Sequence, residues 1–496
     1  MKRKFFFMLC CLSAVLIGFH SCNKDEDNTN DNAPYNPGQP VECVDFDPVE
    51  GGRATQLMLT GVNLGNDPKL LEVYFYSEST EGIKAPIIGC AHGRALVVVP
   101  KLPSTDDYTV RVQIGNQSQT FHEKFKYTQR AVVTTVCGNP ISGNTVFREG
   151  PFGLCVLRNP RFLTSDIDGN VFVSHDVTSS DGGQLIAMVN EQEEYVRLLS
   201  TVGSTVNAPT ADATGTLLMF PSNGGNDVRW QDGFFQVDCE AGYSVRERRI
   251  FHPSPEEIAS GEKHDFSLKL YKHSFAICEA DKMIYYRSNQ DGKIFRFNPR
   301  TFEGEWATTL EEQTVYEYNE EDGEMTEITM RQPMYMLQNV IGDSYLVFDP
   351  RPEYAHMLYG TITGGNGSHH IIAWMNIITG ENGIYSGGLG KDNEGWRDGS
   401  VATAKFNQPR QMVVDNDGNL IIADRYNHCI RMINVRTGMV STLVGIAGKK
   451  GYQDGNPDDA LFNGPMGLCI IRSGENEGAI YIADTDNKCI RKLVFE

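Results

Sequence analysis

The stretches of this chain that could do chemistry are few. Asp166-Ile167-Asp168-Gly169-Asn170 and Asp415-Asn416-Asp417-Gly418-Asn419 space carboxylate and amide oxygens as the start of a calcium loop does. Such a loop needs further oxygens and a Glu at its twelfth position, where this chain has Val177 and Tyr426, so both stretches read as hairpin turns. His369 and His370 are adjacent, but neighbours on a strand point to opposite faces and do not readily share a metal. No Gly-x-Ser-x-Gly elbow and no His-Glu-x-x-His occurs. No catalytic residue and no metal ligand is assigned from the sequence. An axial divalent cation such as calcium, held by groups from distant segments, stays open, and so does a metal-dependent hydrolase or lyase activity.

Ligand-binding chemistry has better candidates. Trp396 and Tyr452 each precede an Asp-Gly turn and could stack on a flat sugar face, although Phe147 fills the same slot upstream, as a structural wedge would. Arg161 and Arg410 stand where a third copy of the same segment has Met466, and Arg425-Tyr426 stand where it has Thr485-Asp486. Residues that differ between copies are better functional candidates than residues that recur. Trp230 and Trp374 lie outside the recurring pattern. Two guanidinium groups at one mouth of an acidic ring would favour an anion or a hydroxyl-rich ligand, because each Arg offers five donors in a planar fork. Alternatively, each pairs with a carboxylate of its own or a neighbouring repeat.

The elements that must hold these residues are visible as a repeat. Gly395-Trp396-Arg397-Asp398-Gly399 leads to Pro409, and Gly451-Tyr452-Gln453-Asp454-Gly455 leads to Pro465 at the same spacing. The two copies converge again on Ile422-Ala423-Asp424-Arg425-Tyr426-Asn427-His428-Cys429-Ile430-Arg431 and on Ile482-Ala483-Asp484-Thr485-Asp486-Asn487-Lys488-Cys489-Ile490-Arg491. A period of 56 to 60 residues, built of short apolar runs cut by Asp, Asn and Gly turns, implies a repeated four-stranded unit. The pattern recurs at Phe147 to Val171, and weaker echoes place successive units near 160, 209, 272, 333, 409 and 465. The last unit lacks its fourth strand, and Val133 to Gly138 matches the missing one, so an N-terminal strand is expected to close the ring.

These motifs resemble NHL repeats, closely over 395 to 496 and well over 133 to 176. The resemblance implies a six-bladed β-propeller over 131–496. Upstream, short alternating runs from Gln39 to Thr128 predict a small antiparallel sandwich. Phe46-Asp47-Pro48, Leu59-Thr60-Gly61-Val62-Asn63-Leu64-Gly65, Val97-Val98-Val99-Pro100 and Phe125-Lys126-Tyr127 resemble the IPT/TIG immunoglobulin-like family, whose domains serve as spacers or interaction modules. The expected fold is all-β: an immunoglobulin-like sandwich over 39–128, then the propeller.

The chain begins with Lys2-Arg3-Lys4, a short apolar run and Cys22, which marks residues 1–21 as an export signal. It resembles a bacterial lipoprotein signal with Cys22 as the lipidated residue, followed by a flexible tether over 22–38. The acidic residues after Cys22 resemble the tag of lipoproteins on the outer face of a Gram-negative outer membrane. Net charge is −20, and losing the three basic leader residues makes it more negative still. Such a polyanion repels nucleic acid, which leaves neutral glycans, cations and proteins as partners and the N-terminal lipid as the only membrane contact. Of 12 cysteines, Cys155, Cys429 and Cys489 occupy small core slots of the repeat, and Cys43 and Cys90 could bridge two sheets. The expected function is a surface-exposed, non-catalytic module binding glycan in polysaccharide utilisation, or a protein-interaction scaffold.

Overall fold

The computed structural model describes residues 32–52, 55–77, 80–100, 102, 107–128, 131–138, 146–175, 184–223, 233–250, 272–318, 325–364 and 369–495. The leader, Cys22, Trp230 and residues 251–271 lie outside the described residues. The chain is all-β: among the described residues there is no α-helix, and no helix is long and apolar enough to cross a membrane. It divides into two compact units, residues 1–129 and 130–495.

The first unit is built of a four-stranded and a five-stranded sheet. Alternation sets its core. In Gln56–Val62 and Leu71–Ser77 every second side chain is buried, and Leu57, Leu59, Val73 and Phe75 join Val97, Val110, Val112 and Phe125 in one cluster. Cys43 and Cys90 lie on the two edge strands of the same four-stranded sheet, with two strands between them, and both are free thiols. They do not bridge sheets. The end of the segment expected to be a tether is held in place: Gln117 Nε2 donates to Tyr35 Oη and Asn63 Nδ2 to the Asn36 carbonyl.

Among the described residues the second unit contains six sheets of four or five strands and one two-stranded hairpin. The first strands of the six sheets are Pro160–Ser165, Thr210–Ala211, Ala276–Ile277, Asp343–Phe348, Pro409–Val414 and Pro465–Ile470. The C-terminal ends of all six border one cavity, so the sheets surround a common axis. Second strands such as Val171–His175, Leu420–Asp424 and Ile480–Asp484 are buried at every position, because neighbouring sheets cover both of their faces. The Asp-x-Asp-Gly-Asn stretches are hairpin turns. Asp166 and Asp415 each accept the backbone N–H and the side-chain amide of Asn170 and Asn419, while Gly169 and Gly418 take φ +83, which is costly for any residue with a Cβ.

Closure follows the sequence expectation. Ala131–Gly138 pairs antiparallel with Cys489–Phe495 and completes the sixth sheet. The fourth sheet starts at Asp343 and not near 333, because Thr308–Tyr318 and Met325–Pro333 pair with each other as a separate hairpin. Cys155, Cys429 and Cys489 are buried.

Candidate ligand-binding site

The N-terminal ends of the first strands meet at the mouth opposite the cavity, and the aligned sequences decide what stands there. Phe162, Ala208, Tyr345 and Met466 pack into a plug, with the Phe162 and Tyr345 rings 5.0 Å apart although their sheets are not neighbours. Below the plug, Gln411 reaches across from the fifth sheet: its Oε1 accepts from the backbone N–H of Leu163 and Leu468, and its Nε2 donates to the Leu163 carbonyl at 2.7 Å. Plug and crossbar together separate the two mouths.

Above the plug, Arg410 is 8% exposed. Its Nη1 donates to Asp343 Oδ2 at 3.2 Å and to Tyr345 Oη at 2.9 Å, and its Nη2 to Gln408 Oε1 at 3.1 Å. Asp343 also faces His273 Nε2 at 3.1 Å, so one carboxylate serves both groups. Burial works against the charge on Arg410, but Tyr345 and Asp343 outweigh it and hold its pKa above the ordinary value. Burial pushes His273 below its ordinary value, Asp343 pulls it back up, and the charges of Arg410, Arg161 and Arg287 push it down again. Arg410 therefore does pair with the carboxylate of a neighbouring sheet.

In the fifth and sixth sheets the loop after the second strand docks on the start of the next sheet, and in the fourth sheet the start of the third strand does so through His370. Gln408 N donates to His370 Nδ1, Gly464 N to His428 Nδ1, and Thr485 Oγ1 to the Pro160 carbonyl at 2.7 Å. His370 is thus a structural acceptor, and His369 beside it is partly exposed. In the fifth sheet this loop carries Arg425 and Tyr426 over the start of the sixth sheet, where Met466 supplies no charge. The Arg425 side chain makes no hydrogen bond or ion pair among the described residues, its Nε is shielded from solvent, and its guanidinium lies 5.0 Å from the centre of the exposed Tyr426 ring. Burial and then the charge of Arg410 lower its pKa, with Arg161 adding to the effect. Arg161 lies 5.0 Å from the Phe162 ring. Arg410, Arg425 and Arg161 thus follow one another along one arc of the mouth, and the structure brings these three and Tyr426 together.

Trp396 and Tyr452 are placed elsewhere. They are 49% and 40% exposed, but Trp396 Nε1 donates to Thr442 Oγ1 at 3.0 Å and Tyr452 Oη meets Thr135 Oγ1 at 2.9 Å. Thr135 lies on the outermost strand of the sixth sheet and Thr442 on the long outer strand of the fifth, outside which only Gly399–Ser400 pairs, so the two rings sit at outer positions of the two sheets. Trp374 is partly buried against the core between the fourth and fifth sheets.

Sequence reasoning missed the purpose of the recurring Asp, Asn and Arg. Arg431 is fully buried and donates to Asp424 at 2.9 Å and Asp398 at 2.6 Å, and Asn427 ties Asp424 to the Gly395 carbonyl. Arg491, Asp484, Asp454 and Asn487 repeat this in the sixth sheet. Burial raises Asp424 and Asp484 to about 6 even with their arginines alongside. The fixed spacing within Asp-x-x-Asn-x-x-x-Arg was the available signal.

The cavity at the far mouth has a volume of about 430 Å³, with Ile167, Phe275, Phe348 and Met412 among its walls and Asp166 and Asp212 among its polar lining. Among the described residues no group of three or more His, Cys, Asp or Glu is arranged to hold a metal ion.

An NHL repeat is present at residues 406–431. The chain is 33% identical over 124 residues to Protein SUPPRESSOR OF QUENCHING 1, chloroplastic, of Arabidopsis thaliana, a match covering 24% of this chain and 11% of that protein. It is 35% identical over 100 residues to NHL repeat-containing protein 2 of Homo sapiens, covering 20% of this chain and 13% of that protein. The chain therefore spans little more than a tenth of the length of these curated relatives. Solved structures match nearly end to end. A Bacteroides thetaiotaomicron protein of unknown function has a TM-score of 0.62 at 20% identity, covering 94% of this chain and 100% of its own. Two structures named auxiliary nutrient binding proteins follow. The one from Bacteroides thetaiotaomicron has a TM-score of 0.53 at 22% identity, covering 93% and 99%, and the one from Bacteroides ovatus 0.54 at 21%, covering 94% and 100%. At these identities the likeness establishes the shared fold.

Proposed function

We propose that this protein is a surface lipoprotein of a Gram-negative bacterium, anchored through Cys22, in which an IPT/TIG-type domain over 39–128 carries a six-bladed NHL-type propeller over 131–496. The propeller binds glycan without catalysis. The names of the two Bacteroides nutrient-binding structures and the charged leader ending at Cys22 support this reading. The observation that carries it is the arc of Arg410, Arg425 and Arg161 beside the exposed Tyr426. It offers a stacking face and guanidinium donors at one mouth of a chain whose net charge is −20.

Affinity electrophoresis of the full chain through gels containing a panel of polysaccharides tests the reading. At least one polysaccharide should retard the chain, and Arg161→Ala with Arg425→Ala should weaken that binding about tenfold or more, about 1.4 kcal/mol. Arg410 is left in place because its removal would strip Asp343 and the buried Tyr345 hydroxyl of a partner. A panel without retardation contradicts glycan binding and leaves the scaffold role. Unchanged affinity in a double variant that melts like the parent places the site elsewhere.

A further inference from the structure

Among the described residues, the mouth that holds the arginine arc has more cationic groups than carboxylates in contact with them. Asp343 is already divided between Arg410 Nη1 and His273 Nε2. Arg287 is fully buried and spends its donors on the carbonyls of Met336, Leu337 and Val340, so no carboxylate neutralises it by contact. The Arg425 side chain has neither a hydrogen bond nor an ion pair among the described residues, and Asp486 is the carboxylate whose field reaches it. Buried donors also stand unused here: Arg410 Nε and Arg287 Nη1. Unmet donors and uncompensated charge cost free energy in the empty protein, and a ligand bearing negative charge would relieve that cost. A neutral sugar hydroxyl can accept the hydrogen bonds but leaves the charge unmatched.

We infer that this mouth takes the acidic group of an anionic glycan, a uronate carboxylate or a sulfate ester, set against Arg425 while the adjoining sugar ring lies on Tyr426. The inference rests on the proposal that the propeller binds glycan and deepens it by naming the charge of the ligand. Planar oxyanions match the two-donor edge of a guanidinium, and the Tyr426 ring beside Arg425 supplies a face for the sugar that bears the acid. The overall negative charge of the protein repels polyanions at long range, so discrimination must come from this local arc and should fade as salt screens it.

Matched pairs of probes isolate the charge: polygalacturonate against its fully methyl-esterified form, and dextran sulfate against dextran, each titrated calorimetrically into the full chain. An acidic member should bind at least about tenfold tighter than its neutral partner, about 1.4 kcal/mol. Raising sodium chloride from about 50 to 500 mM should weaken that binding, and Arg425→Gln should remove most of the preference. Because the Arg425 side chain makes no hydrogen bond or ion pair among the described residues, the variant should melt like the parent. Preference within the galacturonate pair identifies a carboxylate site, and preference within the dextran pair alone a sulfate site. Equal affinity for both members of each pair, or tighter binding of the neutral ones, overturns the inference and leaves glycan binding standing. Acidic preference that survives Arg425→Gln also overturns it. If no polysaccharide binds at all, the glycan reading falls and takes this inference with it.

Discussion

At the scale of single residues, the chain separates arginines that fasten the fold from arginines left for a ligand. Arg431 and Arg491 are fully enclosed, each touching two aspartates, and recur at the same place in consecutive sheets. Arg425 stands beside this network, and its side chain makes no hydrogen bond or ion pair among the described residues. Removing one member of a buried pair strands the other charge, so Arg431→Met should cost about 3–5 kcal/mol in urea unfolding. The pH dependence follows from Asp424. Burial holds its folded pKa, about 6, above the value of an unfolded aspartate, so its ionisation penalty appears as pH rises through that window and vanishes below it. Without Arg431 the penalty grows, and the deficit of the variant should shrink as pH is lowered from 7 towards 5. A loss below about 1 kcal/mol would mean that Arg431 is not a fastening. From the sequence alone, Arg431 and Arg425 are both arginines in one ten-residue segment. Recurrence in the next copy marked Arg431 as structural, and replacement by Thr485 marked Arg425 as special. One partner, Asp424, lies seven residues earlier in that segment, but the other, Asp398, comes from a turn about thirty residues earlier, which no local pattern reveals.

At the scale of elements, the periodic apolar runs and Asp-Gly turns made the strong repeats and the closing strand legible. The register failed where the chain departs from its own period. The hairpin of Thr308–Tyr318 with Met325–Pro333 spends strand-like sequence outside the sheet ladders, which is why the fourth sheet begins ten residues late. The second strand of the first sheet ends at His175, which replaces the aspartate found in the fifth and sixth sheets. Its Nδ1 faces the Arg158 carbonyl at 2.8 Å while Nε2 is buried without a partner. Burial lowers its pKa to about 4, so the folded state refuses a proton that the unfolded chain takes up near 6.5. The stability this group contributes is intact above that unfolded value and is lost as pH falls towards 4, about 3 kcal/mol in all. Denaturant titrations between pH 7 and 4 should show this slope in the parent and its reduction in His175→Gln. An unchanged slope would show that His175 is not the group titrating.

At the scale of the molecule, one ring presents two different mouths, divided by the Phe162, Ala208, Tyr345 and Met466 plug and the Gln411 crossbar. One carries the arginine arc, and the other opens into the cavity of about 430 Å³. The sequence placed Arg161 and Arg410 at one mouth because both open a first strand. It linked Trp396 and Tyr452 to the same site because they lie a few residues upstream. Their hydroxyl partners on outer strands, supplied for Tyr452 by the distant Thr135, carry them to the periphery. The cavity was not legible, since six segments from Leu163 to Ser473 build it together. Hydrogen exchange of the full chain with and without a bound glycan distinguishes the mouths directly. Binding at the arginine arc should slow exchange at Arg425 to His428 and around Arg161 and Arg410, and leave the turns at Asp166 to Asn170 and Asp212 to Thr216 unchanged. Protection confined to those turns, with none at Arg425 to His428, would contradict the account.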